Sequence, residues 1–272
     1  MVTSPGARAP CLRPAERGNP LIQVQGLTKL YGEFVAVKDL DFSVAPGEIL
    51  GLVGPNGAGK TTTLRCLVGI LRPSGGSVSI EGHDVATDAV EAKRRLAWLP
   101  DEPHLFDYLT VREHLELTAR LYGVEGAEGR GRALLEELEL ADKADALPGE
   151  LSRGMKQKLA IACGLLHEPQ AMLFDEPLTG LDPYGIRRMK RTIVERKNRG
   201  AAIVVSSHLL HLVEEIADRV LIVQNGKRIA LGTLDEIRAA APGLSQDASL
   251  EEIFLTVTGR GGEDPDGAST TR

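Results

Sequence analysis

Short apolar runs alternate with longer amphipathic stretches along most of the chain. Short runs rich in branched apolar side chains are typical of β-strands, whereas apolar residues three or four positions apart are typical of helices. The first strong helix is predicted after Gly59, and later helices begin near Pro183 and Leu209. This alternation predicts an α/β protein with parallel strands. The predicted strands are residues 21–25, 40–44, 49–53, 77–81, 96–99, 171–174, 203–206 and 220–223.

A long helical stretch separates the early strands from the strand at residues 171–174. The segments VREHLELTARLYG and GRALLEELEL have helical periodicity and are separated by glycine-rich breaks, which predicts an inserted helical subdomain at about residues 101–168. The main domain is predicted to span residues 20–258. Residues 1–19 and 259–272 combine Pro, Gly and charged residues with little apolar content, so both ends are predicted to be disordered.

The apolar runs and the net charge of the chain disfavour some classes of function. The longest apolar runs, such as residues 49–53, are far shorter than the roughly 20 residues that span a bilayer, so work at a membrane would require another chain. The net charge of -6 disfavours a general nucleic-acid binder. The basic run at residues 187–199 is interpreted as a solvated helix face.

The cysteines favour neither a disulfide framework nor a zinc site, because their number is odd and no CxxC pair occurs. This usage fits a reducing cytoplasm. Cys66 and Cys163 fall in apolar-periodic helical runs and are predicted to be small buried residues, whereas Cys11 lies in the N-terminal extension.

The segment GPNGAGKTT follows the predicted strand at residues 49–53 and satisfies G-x-x-x-x-G-K-[ST] in a strand-loop-helix context. Its glycines let backbone N–H groups point into one concavity, and the helix N-terminus adds a positive end, so a polyphosphate is expected to bind. Lys60 is expected to reach the β- and γ-phosphates, and the Thr61 hydroxyl to ligate Mg²⁺. The predicted binding residues are Gly54, Pro55, Asn56, Gly57, Ala58, Gly59, Lys60, Thr61 and Thr62.

Acidic residues follow a second apolar strand, in AMLFDEP. Asp175 is predicted to hold the Mg²⁺ shell, and Glu176 to orient and polarise the attacking water. Alternatively, the pair caps the next helix. The strand AAIVVSS is predicted to end in His208, at the sheet edge where ligands of open α/β folds bind. A donor there could meet a γ-phosphate and the water held by Glu176, which makes Glu176, His208 and Lys60 the catalytic candidates.

The segment LSRGMKQK, residues 151–158, contains no catalytic residue type but begins a predicted helix. Ser152 and Gly154 offer a hydroxyl and free backbone N–H groups at that N-terminus, which is a second candidate phosphate-binding surface. The chain has one phosphate loop. Two phosphate-binding surfaces therefore predict two domains that meet head to tail, each completing the site of the other.

These motifs together resemble the nucleotide-binding subunit of ABC transporters over residues 21–259. The segment at residues 54–61 is similar to the Walker A motif, residues 172–176 to Walker B, and LSRGM to the family signature LSGGQ. The resemblance implies an α/β P-loop NTPase core with an antiparallel β lobe and an inserted helical subdomain, the ABC ATPase fold. It further implies that Tyr31 stacks on adenine, that Leu181 and Asp182 form the D-loop, and that His208 is the switch histidine.

Two departures from the family pattern stand out. Asp101 occupies the position of a glutamine that contacts Mg²⁺ and relays to the transmembrane partner, and an aspartate could still ligate the metal. Arg153 and Met155 replace glycine and glutamine in the signature, whereas Ser152 and Gly154 are kept. The form LSRGMKQK, together with DEPLTGLDP and the late helix SLEEIFLTVTG, resembles the drug-export branch, although SLEEIFL could also be an amphipathic helix that packs on the core.

The resemblance implies an ATPase that dimerises around two ATP molecules with Mg²⁺. It would power transport, with export favoured, through separate transmembrane permease subunits at the cytoplasmic face of the membrane. Phe106 and Tyr108 would line a groove for the partner's coupling helix, or pack in the core. Two alternatives remain: a soluble ABC-type ATPase acting on nucleic acid or ribosomes, and a regulatory module that holds ATP without hydrolysing it.

Overall fold

The computed structural model describes residues 19–179, 181–241, 243–245 and 247–259. In these parts of the chain, two sheets are surrounded by helices. The strands are β1 (Ile22–Tyr31), β2 (Phe34–Val44), β3 (Ile49–Val53), β4 (Gly75–Ile80), β5 (His83–Asp84), β6 (Leu96–Leu99), β7 (Ala171–Asp175), β8 (Ala202–Ser206), β9 (Arg219–Gln224) and β10 (Lys227–Gly232). The helices are α1 (Lys60–Leu67), α2 (Ala89–Arg94), α3 (Val111–Tyr122), α4 (Ala127–Glu137), α5 (Arg153–Leu165), α6 (Pro183–Asn198), α7 (Leu210–Ile216), α8 (Leu234–Ala240) and α9 (Leu250–Val257).

The larger sheet has the strand order β10-β9-β3-β8-β7-β6. Its strands from β9 to β6 run parallel, and β10 pairs antiparallel with β9. Every residue of β3, β7 and β8 is buried, which is why these strands read as continuous apolar runs in the sequence. Because parallel strands end at a common edge, the residues that follow Val53, Asp175 and Ser206 meet on one side of the sheet.

The smaller sheet has the order β2-β1-β4-β5 and is antiparallel, as predicted for the front lobe. Ile22, Leu40 and Val78 from this sheet share one buried core with Leu50 of β3. The hairpin of β1 and β2 is longer than the predicted strands, because its tip is half exposed and therefore shows no continuous apolar pattern.

Three helices, α3 to α5, pack against one another between β6 and β7. Helix α3 starts with a capping box, in which the Thr110 hydroxyl accepts from the Glu113 N–H and the Glu113 carboxylate accepts from the Thr110 N–H. Its apolar residues Val111 and Leu115 join a core with Leu134 of α4. The helices therefore lie where the periodic pattern predicts them.

Several predictions require correction. The elements β5, α2, β10 and α8 were not predicted, because β5 has two residues and each of the other three has a single buried residue, which leaves too little apolar periodicity to be recognised. Strand β8 ends at Ser206, so the prediction that it ends in His208 was wrong. Residues 1–18 and 260–272, including Cys11, lie outside the described residues, and so does nearly all of both predicted disordered ends.

The two cysteines within the described residues are free. Cys66 is fully buried and Cys163 is partly buried, and burial raises the pKa of each thiol to about 11. Both therefore remain protonated at neutral pH, which fits the prediction of packing residues. No helix in the described stretches has the length and apolar character needed to cross a bilayer.

The basic run at residues 187–199 is only partly a solvated helix face, contrary to the interpretation from the sequence. The side chain of Arg196 is 10% exposed, and its Nη2 lies 3.1 Å from Oε2 of Glu137 in α4. Nζ of Lys197 lies 2.6 Å from Oδ1 of Asp218. These ion pairs attach α6 to neighbouring elements, and their acidic partners are too distant in sequence for the pattern to reveal them.

Candidate functional site

The loop between β3 and α1 has a backbone that glycine alone fits without strain. Gly57 and Gly59 have φ values of 79° and 99°. A Cβ atom on Gly59 would lie 2.5 Å from the carbonyl oxygen of Ala36 in β2, so a side chain has no room there. At Gly54 an added Cβ would lie 2.4 Å from the carbonyl oxygen of Val223. The loop is therefore enclosed between β2 and β9.

Lys60 is the first residue of α1 and is 8% exposed. Its Nζ donates to the carbonyl oxygens of Gly54 at 2.8 Å and of Pro55 at 3.5 Å, so the side chain folds back across the loop. Burial lowers the pKa of Lys60, and the negative charges of Glu176 and Asp175 partly oppose that shift. The lysine and both carboxylates therefore share one electrostatic environment.

The remaining loop residues differ in their exposure to solvent. Helix α1 has no acidic residue in its first turn, so its N-terminus keeps its positive end open to an anion. Asn56, Gly57 and Thr61 are exposed, whereas Thr62 is half-buried and Ala58 is buried. The Thr61 hydroxyl is thus accessible at the first turn of the helix.

Asp175 is the last residue of β7 and is 3% exposed. The hydroxyl of Ser206, its register partner on β8, donates to Oδ1 of Asp175. The buried apolar strand β7 brings the Asp175 carboxylate to the sheet edge beside the phosphate loop. Ser206 was not singled out in the sequence; the dipeptide Ser206-Ser207 before His208 was its available signal.

Glu176 follows directly and has a positive φ of 50°, which is uncommon for a residue with a side chain. Its N–H donates to the carbonyl oxygen of Ser206 at 3.0 Å. Its Oε2 accepts hydrogen bonds from the Ser207 hydroxyl at 3.1 Å and from the His208 N–H at 3.2 Å. Nδ1 of His208 donates to the same oxygen at 2.8 Å. The turn after β8 therefore holds the Glu176 carboxylate in one orientation.

A cleft of about 340 Å³ lies beside the loop. It is lined by Gly54, Pro55 and Asn56 together with His208, Leu210 and Phe254. Phe254 belongs to α9, whose residues Leu250 and Ile253 are fully buried. The segment SLEEIFL is thus an amphipathic helix packed on the core, and it contributes one wall of this cleft. The sequence pattern did not predict that role for Phe254.

The N-terminus of α5 is the second candidate phosphate-binding surface. The Ser152 hydroxyl accepts from the Met155 N–H at 3.3 Å and caps the helix. Gly154 faces Leu181, since an added Cβ would lie 3.5 Å from Leu181 Cδ2. Within the described residues, no hydrogen bond or ion pair joins Ser152 or Gly154 to the loop. Asp182 caps α6 by accepting from the Gly185 N–H at 2.6 Å.

The remaining predicted residues lie at exposed positions. Tyr31 ends β1, is 46% exposed, and has the Lys29 ammonium 5.2 Å from its ring centre. Phe106 and Tyr108 are 61% and 92% exposed, so the alternative of core packing is wrong for both. Asp101 pairs with Arg153, whose Nη2 lies 3.4 Å from Oδ1.

Residues 37–179 match the protein family described as ABC transporter. The chain belongs to this family. The ABC transporter chain is 38% identical to the ABC-type transporter ATP-binding protein EcsA of Bacillus subtilis over 240 residues, which cover 88% of the chain and 96% of the relative. It is also 37% identical to the daunorubicin resistance ATP-binding protein DrrA3 of Streptomyces coeruleorubidus, with 85% of the chain and 74% of the relative covered.

A solved structure of an ATP binding subunit of an ABC transporter matches the ABC transporter chain with a TM-score of 0.84. The two are 38% identical, and the match covers 88% of this chain and 99% of that structure. The predicted family, the α/β P-loop NTPase fold and the ATPase function in transport are thereby confirmed. The alternative of a nucleic-acid or ribosome ATPase is not favoured.

Proposed function

We propose that two copies of the chain, or one copy and a similar ATPase subunit, close around two ATP molecules and drive export through separate permease subunits. The observation that carries the proposal is the convergence of Lys60, Asp175, Glu176 and His208 at one sheet edge beside the phosphate loop. A module that only holds ATP would need neither an oriented glutamate nor a histidine bonded to it.

The phosphates are proposed to bind in the loop at residues 54–62, where the glycine backbone and the N-terminus of α1 offer N–H donors. Lys60 would exchange its bonds to Gly54 and Pro55 for phosphate oxygens, because a charged acceptor is a stronger partner than a carbonyl. Tyr31 is proposed to stack on the adenine, since its exposed ring offers a flat face.

Mg²⁺ is proposed to be held by the Thr61 hydroxyl and the Asp175 carboxylate, which supply the oxygen donors that this ion prefers. The fit rests on Asp175, a buried carboxylate whose side chain has Ser206 as its hydrogen-bond partner among the described residues. Bound there, the ion would neutralise charge on the β- and γ-phosphates. Asp101 was the third predicted ligand, but its carboxylate pairs with Arg153, so the Mg²⁺ site is proposed without it.

Glu176 is proposed to orient the attacking water and to accept its proton. His208 holds the carboxylate through Nδ1 and is proposed to offer its other ring nitrogen to the γ-phosphate. The half-exposed ring, with 53% of its side chain accessible, can approach a ligand in the cleft. The Ser207 hydroxyl supports the same carboxylate oxygen and is proposed as a further orienting group.

Ser152, Gly154 and Asp182 are proposed to contribute to the nucleotide site of the second ATPase subunit. They have no hydrogen bond to the loop of the same chain among the described residues, which leaves them available to a second subunit. A dimer would bring each α5 N-terminus to the partner's phosphates. Binding of two shared ATP molecules would pull the helical inserts together, and hydrolysis would release them.

Export is supported by relatives with export or resistance names, such as the SkfA peptide export ATP-binding protein of Bacillus subtilis, 39% identical over 209 residues. The similar protein cbiO1 of Clostridium perfringens is part of the ABC transporter complex cbiONQ. We propose a peripheral location on the cytoplasmic face of the membrane. Exposed Phe106 and Tyr108 are proposed to contact a coupling helix of the permease.

The first test is ATP hydrolysis by wild type beside Glu176→Gln. We expect kcat to fall about 100-fold or more, because positioned acid-base groups contribute about 100-fold to 10,000-fold. Equal rates would defeat the assignment of Glu176.

The dimer is tested with Glu176→Gln by light scattering, with and without MgATP. A monomer that becomes a dimer only with MgATP is expected, and Ser152→Arg should abolish the change. Thr233→Arg removes a comparable helix cap on α8 and is the matched control, which should still dimerise. Equal loss in both variants would show damage to folding and not to the interface.

A further inference from the structure

Two of the three residues that depart from the family pattern, Asp101 and Arg153, contact each other. Nη2 of Arg153 lies 3.4 Å from Oδ1 of Asp101, although the residues are 52 positions apart in sequence. Among the described residues, neither side chain has a second hydrogen-bond or ion-pair partner. The two departures are therefore linked through one ion pair between α5 and the loop after β6.

A second contact joins the same two parts of the chain. Nε2 of Gln157 donates to the carbonyl oxygen of Pro100 at 3.4 Å. Arg153 and Gln157 are one helical turn apart and so lie on the same face of α5. Helix α5 is thus attached at two points to residues 100–101.

Asp101 follows a strand that ends at the edge of the candidate site. Leu99 of β6 pairs with Phe174 of β7 in a parallel register, so both strands end at the same edge of the sheet, where Asp101 lies two residues after β6 and Glu176 directly after β7. With Asp175 as the last residue of β7, three carboxylates lie at or just after the ends of two neighbouring strands. An uncompensated third carboxylate would repel the phosphates of ATP.

We propose that Arg153 is a positioning residue for the ATP site of its own subunit: it neutralises Asp101 and, with Gln157, fixes the loop that carries it. The inference rests on the proposed function, because it requires ATP to bind in the phosphate loop. This role is separate from that proposed for Ser152 and Gly154, which would meet the nucleotide of a second subunit.

The ion pair is unsuited to a purely structural role. The side chains of Arg153 and Asp101 are 58% and 45% exposed, and pairs of this kind contribute little to stability. Its effect is therefore expected on ATP affinity and not on the unfolding temperature.

The test measures MgATP affinity by equilibrium dialysis in the Glu176→Gln background, where hydrolysis does not interfere. Arg153→Gln should weaken binding about fivefold to tenfold at low ionic strength, and the defect should shrink as salt screens the exposed charge. Adding Asp101→Asn to Arg153→Gln should restore the MgATP affinity to within about twofold of that of the parent, which is the Glu176→Gln variant, because the charge that needed compensation is gone. Arg153→Lys should keep most of the affinity.

The matched control is Arg112→Gln, which removes the same charge from a pair on α3. Arg112 lies 2.8 Å from Asp145, and its side chain is 57% exposed, close to the exposure of Arg153. Its affinity should equal that of the parent, and thermal melts should be unchanged in all variants.

Two results would overturn the inference: unchanged affinity in Arg153→Gln, or a loss that Asp101→Asn does not restore. If neither the parent nor the wild type binds MgATP, the proposed function itself is wrong and the inference falls with it.

Discussion

Gly59 and Gly57 show how the phosphate loop depends on single residues. Both have positive φ, but an added Cβ at Gly57 has no atom within 4 Å, whereas at Gly59 it meets the Ala36 carbonyl oxygen at 2.5 Å. Gly57→Ala should therefore cost about 1 kcal/mol of backbone strain. Gly59→Ala should cost about 2–3 kcal/mol, because β2 or the loop must also move.

Urea unfolding followed by circular dichroism measures both free energies of unfolding. Gly57→Ala is the matched control for positive φ without steric conflict. Equal losses in the two variants would contradict the close approach of the loop to β2.

His167 makes the stability of the fold depend on pH. Burial lowers its pKa from 6.5 to about 4, and its ring stacks on Tyr122 with centroids 3.9 Å apart. The unfolded chain therefore binds the proton more readily than the folded chain between these pH values. The contribution of neutral His167 to the free energy of unfolding is fully present above pH 6.5 and is lost as the pH falls to about 4.

His167→Gln should reduce this loss, because glutamine keeps a donor near the Leu96 carbonyl and does not titrate. This prediction is checked by measuring the free energies of unfolding of wild type and variant from pH 7 to pH 4. Parallel curves would contradict a buried neutral His167.

At the scale of elements, Glu137 of α4 and Arg196 of α6 join the helical insert to the core. Glu137→Gln leaves the nearly buried guanidinium without its carboxylate, which should destabilise the fold by about 1–3 kcal/mol. Glu215→Gln breaks a pair with Lys190 in which the glutamate is 55% exposed, and should cost less than about 1 kcal/mol.

Thermal unfolding of both variants distinguishes these pairs. A loss in Glu215→Gln as large as that in Glu137→Gln would mean that burial does not decide the strength of the contacts of α6.

At the scale of the whole molecule, ATP binding should stabilise the fold. At MgATP about 100 times above its Kd, the free energy of unfolding should rise by about 2.7 kcal/mol, because ATP binds the folded chain. Lys60→Ala should show no rise at the same concentration, since it removes the cation enclosed in the loop. Thermal melts with and without MgATP measure this, and equal stabilisation of both proteins would place the nucleotide elsewhere.

Much of the candidate site could be predicted because its signals are local. The loop at residues 54–62 follows the buried strand β3, and the acidic pair lies at the end of the buried strand β7, so their chemistry and their place in the fold appear together in the sequence. His208 was predicted at the right edge but assigned to the strand itself. Ser207 was not predicted, because the dipeptide Ser206-Ser207 does not by itself indicate that one of its hydroxyls donates to Glu176.

Periodicity and spacing along the chain suffice to predict the α/β class, the phosphate loop, the acidic pair and the order of motifs, because they are properties of neighbouring residues. Three contacts follow from the fold alone: Arg153 meets Asp101, Arg196 pairs with Glu137, and Phe254 borders the cleft. Those contacts join residues many positions apart, and packing of the elements sets their distances. A pattern along the chain records which side chains are present, whereas the fold decides which charges neutralise one another.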